Sequence, residues 1–410
     1  MNEYYSNIGS KFASFPIRLG IVLAVFICSL FFLLFQGGKL AFMLFIIVFI
    51  LTVYLIMGRW SGIKKTTGSR TLLMEQDGKL VAGTSVTIHL QVQIPGFWPI
   101  PYVFIKDRIS RKNGGEQRFE ASLVPDWGRR GVVEYRTAPL RRGVYQFGMT
   151  ECSTEDIFGI FQHTGVIHLP YSFKVYPKIV AIKEWSQLHF MFRGNHFHSM
   201  TTRAVRETTQ INGVREYNYG DRLSRIHWNA TAKTGTLKSK EFEKESLPKT
   251  IIILDCHPDH YSSSDQFELA VSVAASLLDY ASRNGLLAGL LTHQYIPPGH
   301  SSAGHNPMLD HLVEVEANAP RSLQQVIHEH SIHLPAGTFA LVISPLQGEP
   351  MAQSLGWMKL RQLNPCHLCI SGEGRGTGDN WMKLLKAKGI LGYSVHTLQE
   401  LPYVLGGNVR

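Results

Sequence analysis

The side chains best spaced to do chemistry fall into three groups, and none of them completes a site. Cys366-x-x-Cys369 has the spacing of half a zinc site, because two thiolates so placed can share one tetrahedral ion. No second pair follows among the five cysteines, and the pair lies in an apolar run that reads as a strand, so buried core thiols are expected. The run Ser371-Gly372-Glu373-Gly374-Arg375-Gly376-Thr377-Gly378 stands between an expected strand and an expected helix, where backbone amides can cradle phosphate. It lacks the Lys-Ser/Thr of a P-loop and reads as a surface loop. His196 and His198, like His328, His330 and His333, miss the i, i+4 spacing that puts two imidazoles on one helix face. No nucleophile elbow or Cys-His signature can be picked out. Catalysis therefore has no local signature.

The most patterned stretch runs from Gly213 to Gly235. Asn218 to Gly220 read as a turn, Asp221 is placed to cap a following helix, and Gly235 can end that helix in the left-handed conformation. Asp221 and Arg225 are four apart and can pair on one helix face while Leu223 and Ile226 turn inward. From Leu237 to Glu245 the chain alternates as a strand, with Lys238, Lys240, Phe242 and Lys244 on one face and Ser239, Glu241, Glu243 and Glu245 on the other. Such a strand serves either as a solvated edge whose charges discourage aggregation or as a docking edge for a partner protein. Arg215, Glu216, Asp221 and Arg225 are expected to form a partly buried ion network, a clamp between the domains on either side.

What precedes this stretch sets where it works. Two apolar runs, 17–35 and 40–57, are separated only by Gln36-Gly37-Gly38-Lys39, and each approaches the ~20 residues that a helix needs to cross hydrocarbon. They read as a transmembrane hairpin over 17–58, after an N-terminal cytoplasmic segment at 1–16. Lys11 and Arg18 precede the first run, while Arg59, Lys64, Lys65 and Arg70 follow the second, against Lys39 alone in the turn. The excess of cations places both ends in the cytoplasm, so the expected location is the cell membrane, multi-pass, with the folded domains cytoplasmic. Few and irregularly spaced cysteines fit a reducing compartment. Lys plus Arg number 41 against 31 Asp plus Glu, a net +10. Arg129, Arg130, Arg136, Arg141 and Arg142 add to this charge without any nucleic-acid-binding signature. Membrane lipid is accordingly the expected partner of the cations, and nucleic acid is not.

Residues 59–71 read as a basic juxtamembrane linker and 72–180 as an immunoglobulin-like β-sandwich of short strands, without the Cys…Trp…Cys spacing of antibody domains. Within it, Leu140-Arg141-Arg142-Gly143-Val144-Tyr145 and Asp156-Ile157-Phe158-Gly159-Ile160-Phe161 read as turns, the second pinned to the core by flanking Ile and Phe. Residues 181–249 form a connector holding the patterned stretch. From 250 to 405, apolar strands without polar alternation are separated by helices, which means a parallel sheet covered on both faces and a doubly wound α/β domain.

The series Arg215, Glu216, Tyr217, Gly220, Asp221, Arg225, Ile226 and Trp228, continued by Lys233, Gly235 and Leu237, resembles the motif R-E-Y-x-x-G-D-x-x-R-x-I-x-W of the bacterial membrane proteins called domain of unknown function 58. The L-R-R-G and D-x-F-G-x-F segments and the paired N-terminal spans agree with it. The resemblance implies an α/β domain similar to a von Willebrand factor A domain, and an association with a MoxR-type AAA ATPase and a transglutaminase-like membrane protein. Domains of that type often hold Mg²⁺ through Asp-x-Ser-x-Ser, because hard cations take oxygen ligands. Here the stretch is Asp255-Cys256-His257-Pro258-Asp259, with His257 and Asp259 standing where the serines belong, so loss of the site is the default and no cofactor is expected.

These readings combine into a membrane-anchored, non-catalytic interaction protein working with a MoxR-type ATPase in an envelope-related or chaperone-like process. A metal-dependent ligand binder or assembly factor using Asp255 is the alternative, and an envelope hydrolase a second one.

Overall fold

The computed structural model describes residues 2–73, 79–185, 207–219, 221–244, 250–298, 307–371 and 378–406. Gly220, Glu245, His196, His198 and the glycine run 372–377 lie outside these, as do the side chains of Lys11, Arg59, Glu241, Phe242, Glu243 and Lys244. The chain divides into two units, Met1–Tyr176 and Pro177–Arg410.

The first unit opens with two helices, α1 (Asn2–Gln36) and α2 (Gly38–Met57). Within them, Ile17–Gln36 and Gly38–Met57 are long and apolar enough to cross a membrane. Helix α1 includes 2–16, the segment expected to precede the first span, and the two helices are separated by Gly37 alone. Phe26 packs against Phe45 and Phe49, with ring centroids 5.7 and 6.2 Å away. The buried hydroxyls of Ser29 and Thr52 donate to Phe26 O and Val48 O in their own helices, at 2.8 and 2.7 Å, so neither is left unpaired among apolar neighbours.

Nine strands follow. They are β1 (Thr67–Leu73), β2 (Thr87–Gln93), β3 (Val103–Arg111), β4 (Glu116–Leu123), β5 (Arg130–Arg136), β6 (Gly143–Phe147), β7 (Thr150–Glu155), β8 (Gln162–Ile167) and β9 (Ser172–Val175). One sheet runs β1-β2-β5 and the other β8-β7-β3-β6-β9 with β4 on the free edge of β3. Alternate residues of both sheets face inward, as a two-layer packing requires, and Leu90, Val92 and Val133 of one sheet share a core with Ile105, Cys152 and Ile167 of the other. Burial among these apolar neighbours pushes the Cys152 thiol up to about 12, as expected of an inert core thiol.

The juxtamembrane linker expected at 59–71 is therefore structured, because β1 begins within it at Thr67. Arg70, counted among the flanking cations, belongs to the sandwich interior. Its guanidinium lies 2.9 Å from Asp107, both side chains almost fully buried, and it also donates to Thr150 Oγ1 at 2.8 Å and Leu169 O at 2.7 Å. Tyr135 Oη donates to the same carboxylate, and Arg70 covers the Phe147 ring at 3.9 Å. Strand β1 is thus pinned across the sandwich to β3 and β7. Arg129 and Arg142 are also structural: Arg142 is buried, and Arg129 donates to the carbonyls of Ile94, Trp98 and Ser61. The Asp156 turn forms as its residues dictate, with the carboxylate accepting from the Phe158, Ile160 and Phe161 amides and Gly159 at φ +65°. Of the flanking residues expected to pin this turn, Phe161 reaches the core, while Ile157 and Phe158 are exposed.

In the second unit, Val180 N donates to Ser276 Oγ at 3.0 Å, and Trp185 is buried against Tyr280 and Phe339. The stretch 177–185 therefore packs on the α/β domain, although 177–180 were read as sandwich. Strands β10 (Glu207–Glu216) and β11 (Lys238–Lys244) form an antiparallel pair around the helix Trp228–Thr234. The main sheet contains β12 (Thr250–Leu254), β13 (Ala288–Leu291), β14 (Tyr295–Ile296), β15 (Phe339–Ser344), β16 (Asn364–Ile370) and β17 (Leu391–Val395). Its order is β14-β13-β12-β15-β16-β17, all parallel except the short edge strand β14.

The helix Ser264–Arg283, capped by Ser263 accepting from Gln266 N, packs over β12, β13, β15 and β16. The helices Leu323–Glu329, Glu349–Leu360 and Gly378–Ala387 share a second apolar core with Ile251, Ile253, Val342 and Cys369. Strand order reverses between β12 and β15, both parallel, so their carboxyl ends diverge into the crevice where open α/β sheets offer a site.

Candidate functional site

Asp255 follows the last residue of β12 at that reversal point and is 1% exposed. Its backbone amide donates to Ile343 O of β15 at 3.0 Å, which fixes the carboxylate between the two strands. Oδ1 accepts the His257 amide at 3.0 Å, while Oδ2 accepts the Ser344 hydroxyl at 2.7 Å and lies 2.6 Å from His260 Nδ1. The short turn Pro258–His260 returns the imidazole to its partner, and Tyr261 Oη donates to Asp255 O at 2.6 Å. The hydrogen bond to Asp255 raises the His260 pKa above its ordinary value, against burial acting the other way. Burial pushes the Tyr261 phenol far up, so it remains a hydrogen-bond donor.

A second layer supports the first. His367, fully buried in β16, places Nε2 3.2 Å from Ser344 O and accepts the Trp381 indole N–H at Nδ1 over 2.9 Å. An indole only donates and a carbonyl only accepts, so these partners fix the neutral tautomer with its proton on Nε2. Burial lowers the His367 pKa to about 4.

This arrangement can hold a proton between Asp255 and His260. It does not make a nucleophile: in a Ser-His-Asp triad the serine donates to the imidazole, whereas here serine and imidazole both bond the carboxylate. The candidate metal ligands are not drawn together either. His257 approaches Asp255 through its backbone, its ring lies 4.6 Å from that of His260, and its Nδ1 is buried without a partner, while Asp259 is exposed. Among the described residues no group of three His, Cys, Asp or Glu is positioned to hold a metal ion. Cys366 and Cys369 are buried, with both thiols raised by burial.

The patterned stretch builds a different surface. Glu216 pairs with Lys238 across the β10–β11 ladder, their side chains 3.1 Å apart, and Val214 stands opposite Lys240. Arg215 Nη2 lies 2.8 Å from Asp221 Oδ1, and the Asn218 amide donates to Oδ2 at 3.2 Å. The Arg215 bond, followed by that from Asn218, holds the Asp221 carboxyl below its usual range. Asp221 thus closes the 218–221 turn and does not cap the helix; the cap is His227, whose Nδ1 accepts the Ala230 amide at 3.1 Å. Residues 223–225 form a single 3-10 turn, so the expected Asp221–Arg225 helix-face pair has no helix to sit on. Gly235 ends the helix at φ +69°. Of the expected four-residue network, Arg215 pairs with Asp221 and Glu216 with Lys238, and the Arg225 charge also helps to hold the Asp221 carboxyl down.

Of the two apolar residues expected to turn inward, Ile226 is buried and Leu223 is exposed. Leu223 stands with Tyr219, fully exposed, and Trp228, 66% exposed, along one short stretch. Tyr217 is held by its amide to Leu237 O and by Oη to Asp221 O. Lys233 is exposed and Lys238 and Lys240 are partly so, while Ser239 on the opposite face of β11 is fully buried; the side chains of Glu241, Glu243 and Glu245 expected on that face lie outside the described residues.

Sequence reasoning missed His260, Ser344 as a hydrogen-bond partner, His367, Trp381 and the exposed aromatics. Only His260 left a signal, in the compact run Asp255-Cys256-His257-Pro258-Asp259-His260, whose proline favours a tight return.

The chain is 26% identical over 328 residues, 75% of its length and 77% of the relative's, to the Uncharacterized protein YeaD of Bacillus subtilis (strain 168). Among solved structures, the CARDB domain of a Pyrococcus furiosus protein in complex with di-metal ions is 14% identical, covering 27% of this chain and 91% of that one at a TM-score of 0.18. A conjugative transposon lipoprotein from Bacteroides eggerthii is 17% identical, covering 26% and 95% at a TM-score of 0.15. Residues 213–363, which include the end of β10, all of β11, Asp255, His260 and Ser344, match the family described as Protein of unknown function DUF58.

Proposed function

We propose that this chain is a membrane-anchored, non-catalytic interaction protein whose 213–244 surface docks a MoxR-type AAA ATPase or its client, with its N-terminus and both folded units cytoplasmic. The observation that carries the reading is the exposure of Tyr219, Leu223 and Trp228 along the segment that joins β10 to the helix Trp228–Thr234, inside the family-matched residues. Large apolar side chains that a fold holds in water, in one segment with the exposed Lys233 and the partly exposed Lys238 and Lys240, have the composition of a docking site with an aromatic anchor. A transglutaminase-like membrane protein is a further candidate partner through the same resemblance. The sandwich is read as immunoglobulin-like and the α/β domain as von Willebrand factor A-like; the order β14-β13-β12-β15-β16-β17 with one antiparallel edge strand supports the latter. Engagement of the Asp255 oxygens by His257, His260 and Ser344 favours docking over metal-dependent binding.

Capture of a purified MoxR-type ATPase by the detergent-solubilised full chain tests this reading. Trp228→Ala with Leu223→Ser is expected to cut capture tenfold or more, taken as about 1.4 kcal/mol per decade for a buried anchor. Failure of the unaltered chain to capture such an ATPase, in any nucleotide state, ends the proposal.

A further inference from the structure

The register of the sandwich brings three loops to one end. Gln93 at the end of β2 pairs with Thr67 at the start of β1 and with Arg130 at the start of β5; Leu123 at the end of β4 pairs with Val103 at the start of β3; and Glu155 at the end of β7 pairs with Gln162 at the start of β8. The loops 94–102, 124–129 and 156–161 therefore emerge beside Thr67, at the end where the chain arrives from α2. Each presents large apolar side chains to solvent: Phe97 in the first, Val124 and Trp127 in the second, Ile157 and Phe158 in the third. Trp60, between α2 and β1, is exposed with them. At the opposite end, loops 112–115 and 137–142 expose no large hydrophobic side chain, and Leu140 is buried.

These loops are continuous with the ends of the two apolar helices. Arg18 Nη1 of α1 donates to Ile160 O at 2.8 Å, and the Ile157 amide donates to Tyr54 Oη of α2 at 3.5 Å. The Trp98 ring lies 5.8 Å from that of Tyr54, and Arg129 ties Trp98 O to Ser61 O. Gly62, at φ +77°, lets the backbones touch, since a Cβ there would stand 1.6 Å from Pro95 O. Lys64 and Lys65 are exposed beside the same end.

We infer that the loops 94–102, 124–129 and 156–161 are a lipid-binding surface that inserts Phe97, Trp127 and Phe158 into the headgroup boundary of the bilayer the helices cross. The inference rests on the membrane-spanning reading of α1 and α2. Aromatic and aliphatic side chains held level with helix ends, with cations alongside, match the chemistry of that boundary, where indole and phenyl rings partition and lysine meets phosphate. The sandwich is thereby held against the membrane by four attachments, the hairpin and three loops.

The test uses the full chain with Cys28→Ser, the other cysteines being buried, in vesicles of phosphatidylcholine with a minority of phosphatidylglycerol. Single cysteines replace Trp127, Phe158 or, as control, Asn113 of the far turn, and each carries an environment-sensitive fluorophore. Trp127 is wholly exposed, so its replacement leaves the fold intact. Labels at 127 and 158 are expected to be quenched several-fold more by spin-labelled lipid than the label at 113, and several-fold less by aqueous iodide. Equal iodide access at all three positions, in protein that resists alkaline extraction, overturns the inference while leaving the spanning helices in place. Protection from iodide without lipid quenching also overturns it, because protein then covers the loops. Release of the chain by alkaline extraction removes the spanning reading itself.

Discussion

His367 should make this protein acid-labile. The imidazole is fully buried, donating from Nε2 to Ser344 O and accepting the Trp381 N–H at Nδ1. A second ring proton would point at the indole N–H, with no acceptor to receive it. The folded pKa of about 4 therefore lies below the ordinary 6.5. Between those values the unfolded chain binds a proton that the native state refuses, so stability is fully present above about pH 6.5 and falls as pH is lowered toward 4. At ~1.4 kcal/mol per pH unit the loss is roughly 3 kcal/mol, a large share of a typical domain's stability. His367→Gln keeps one acceptor and one donor without a titrating group. Denaturant unfolding of the detergent-solubilised protein at pH 7 and at pH 4.5, followed by the Trp381 environment, compares the two. The unaltered chain should lose about 2–3 kcal/mol more than the glutamine variant across that interval. Equal losses in both proteins would refute the reasoning.

His260 should act with the opposite sign. Its pKa is raised by Asp255, so its contribution is complete below 6.5 and is lost as pH rises through the folded value; His260→Gln should flatten that alkaline limb of the unfolding profile. Arg70→Met should cost the sandwich about 3–5 kcal/mol by stranding Asp107, and Arg70→Met with Asp107→Leu should recover much of the loss, as read by chemical unfolding. Arg215→Ala removes the hydrogen-bond partner of Asp221 in the turn beside Tyr219 and should lower ATPase capture in the same pull-down. Mg²⁺ or Mn²⁺ titration should leave the melting temperature unchanged, since the oxygens of Asp255 already accept from His257, His260 and Ser344.

The parts legible in the sequence were those set by local chemistry. Period and length marked the apolar helices and the strands Thr250–Leu254 and Phe339–Ser344; the Asp156 turn and the left-handed Gly235 followed from single residues whose options are few. Where long-range partners decide, the sequence misled. Arg70 reads as a juxtamembrane cation until Asp107, 37 residues on, takes it into the core. Asp221 reads as a cap until Arg215, six residues earlier, claims it. Helix Pro307–Glu314 and strand Tyr295–Ile296 were too short to impose a period. His367 looked like any residue of a buried strand, because its partners come from β15 and from the helix Gly378–Ala387.

Arg129 joins Ser61, just past the end of α2, to Ile94 and Trp98 of the sandwich, and Gly62 brings the same turn against Pro95. A neck built this way couples the hairpin to the sandwich through several bonds at once. On the membrane-anchored reading proposed above, a tilt of the hairpin, whether from bilayer thickness or from a neighbour pressing on it, would pass to the sandwich as a turn, not as slack in a tether.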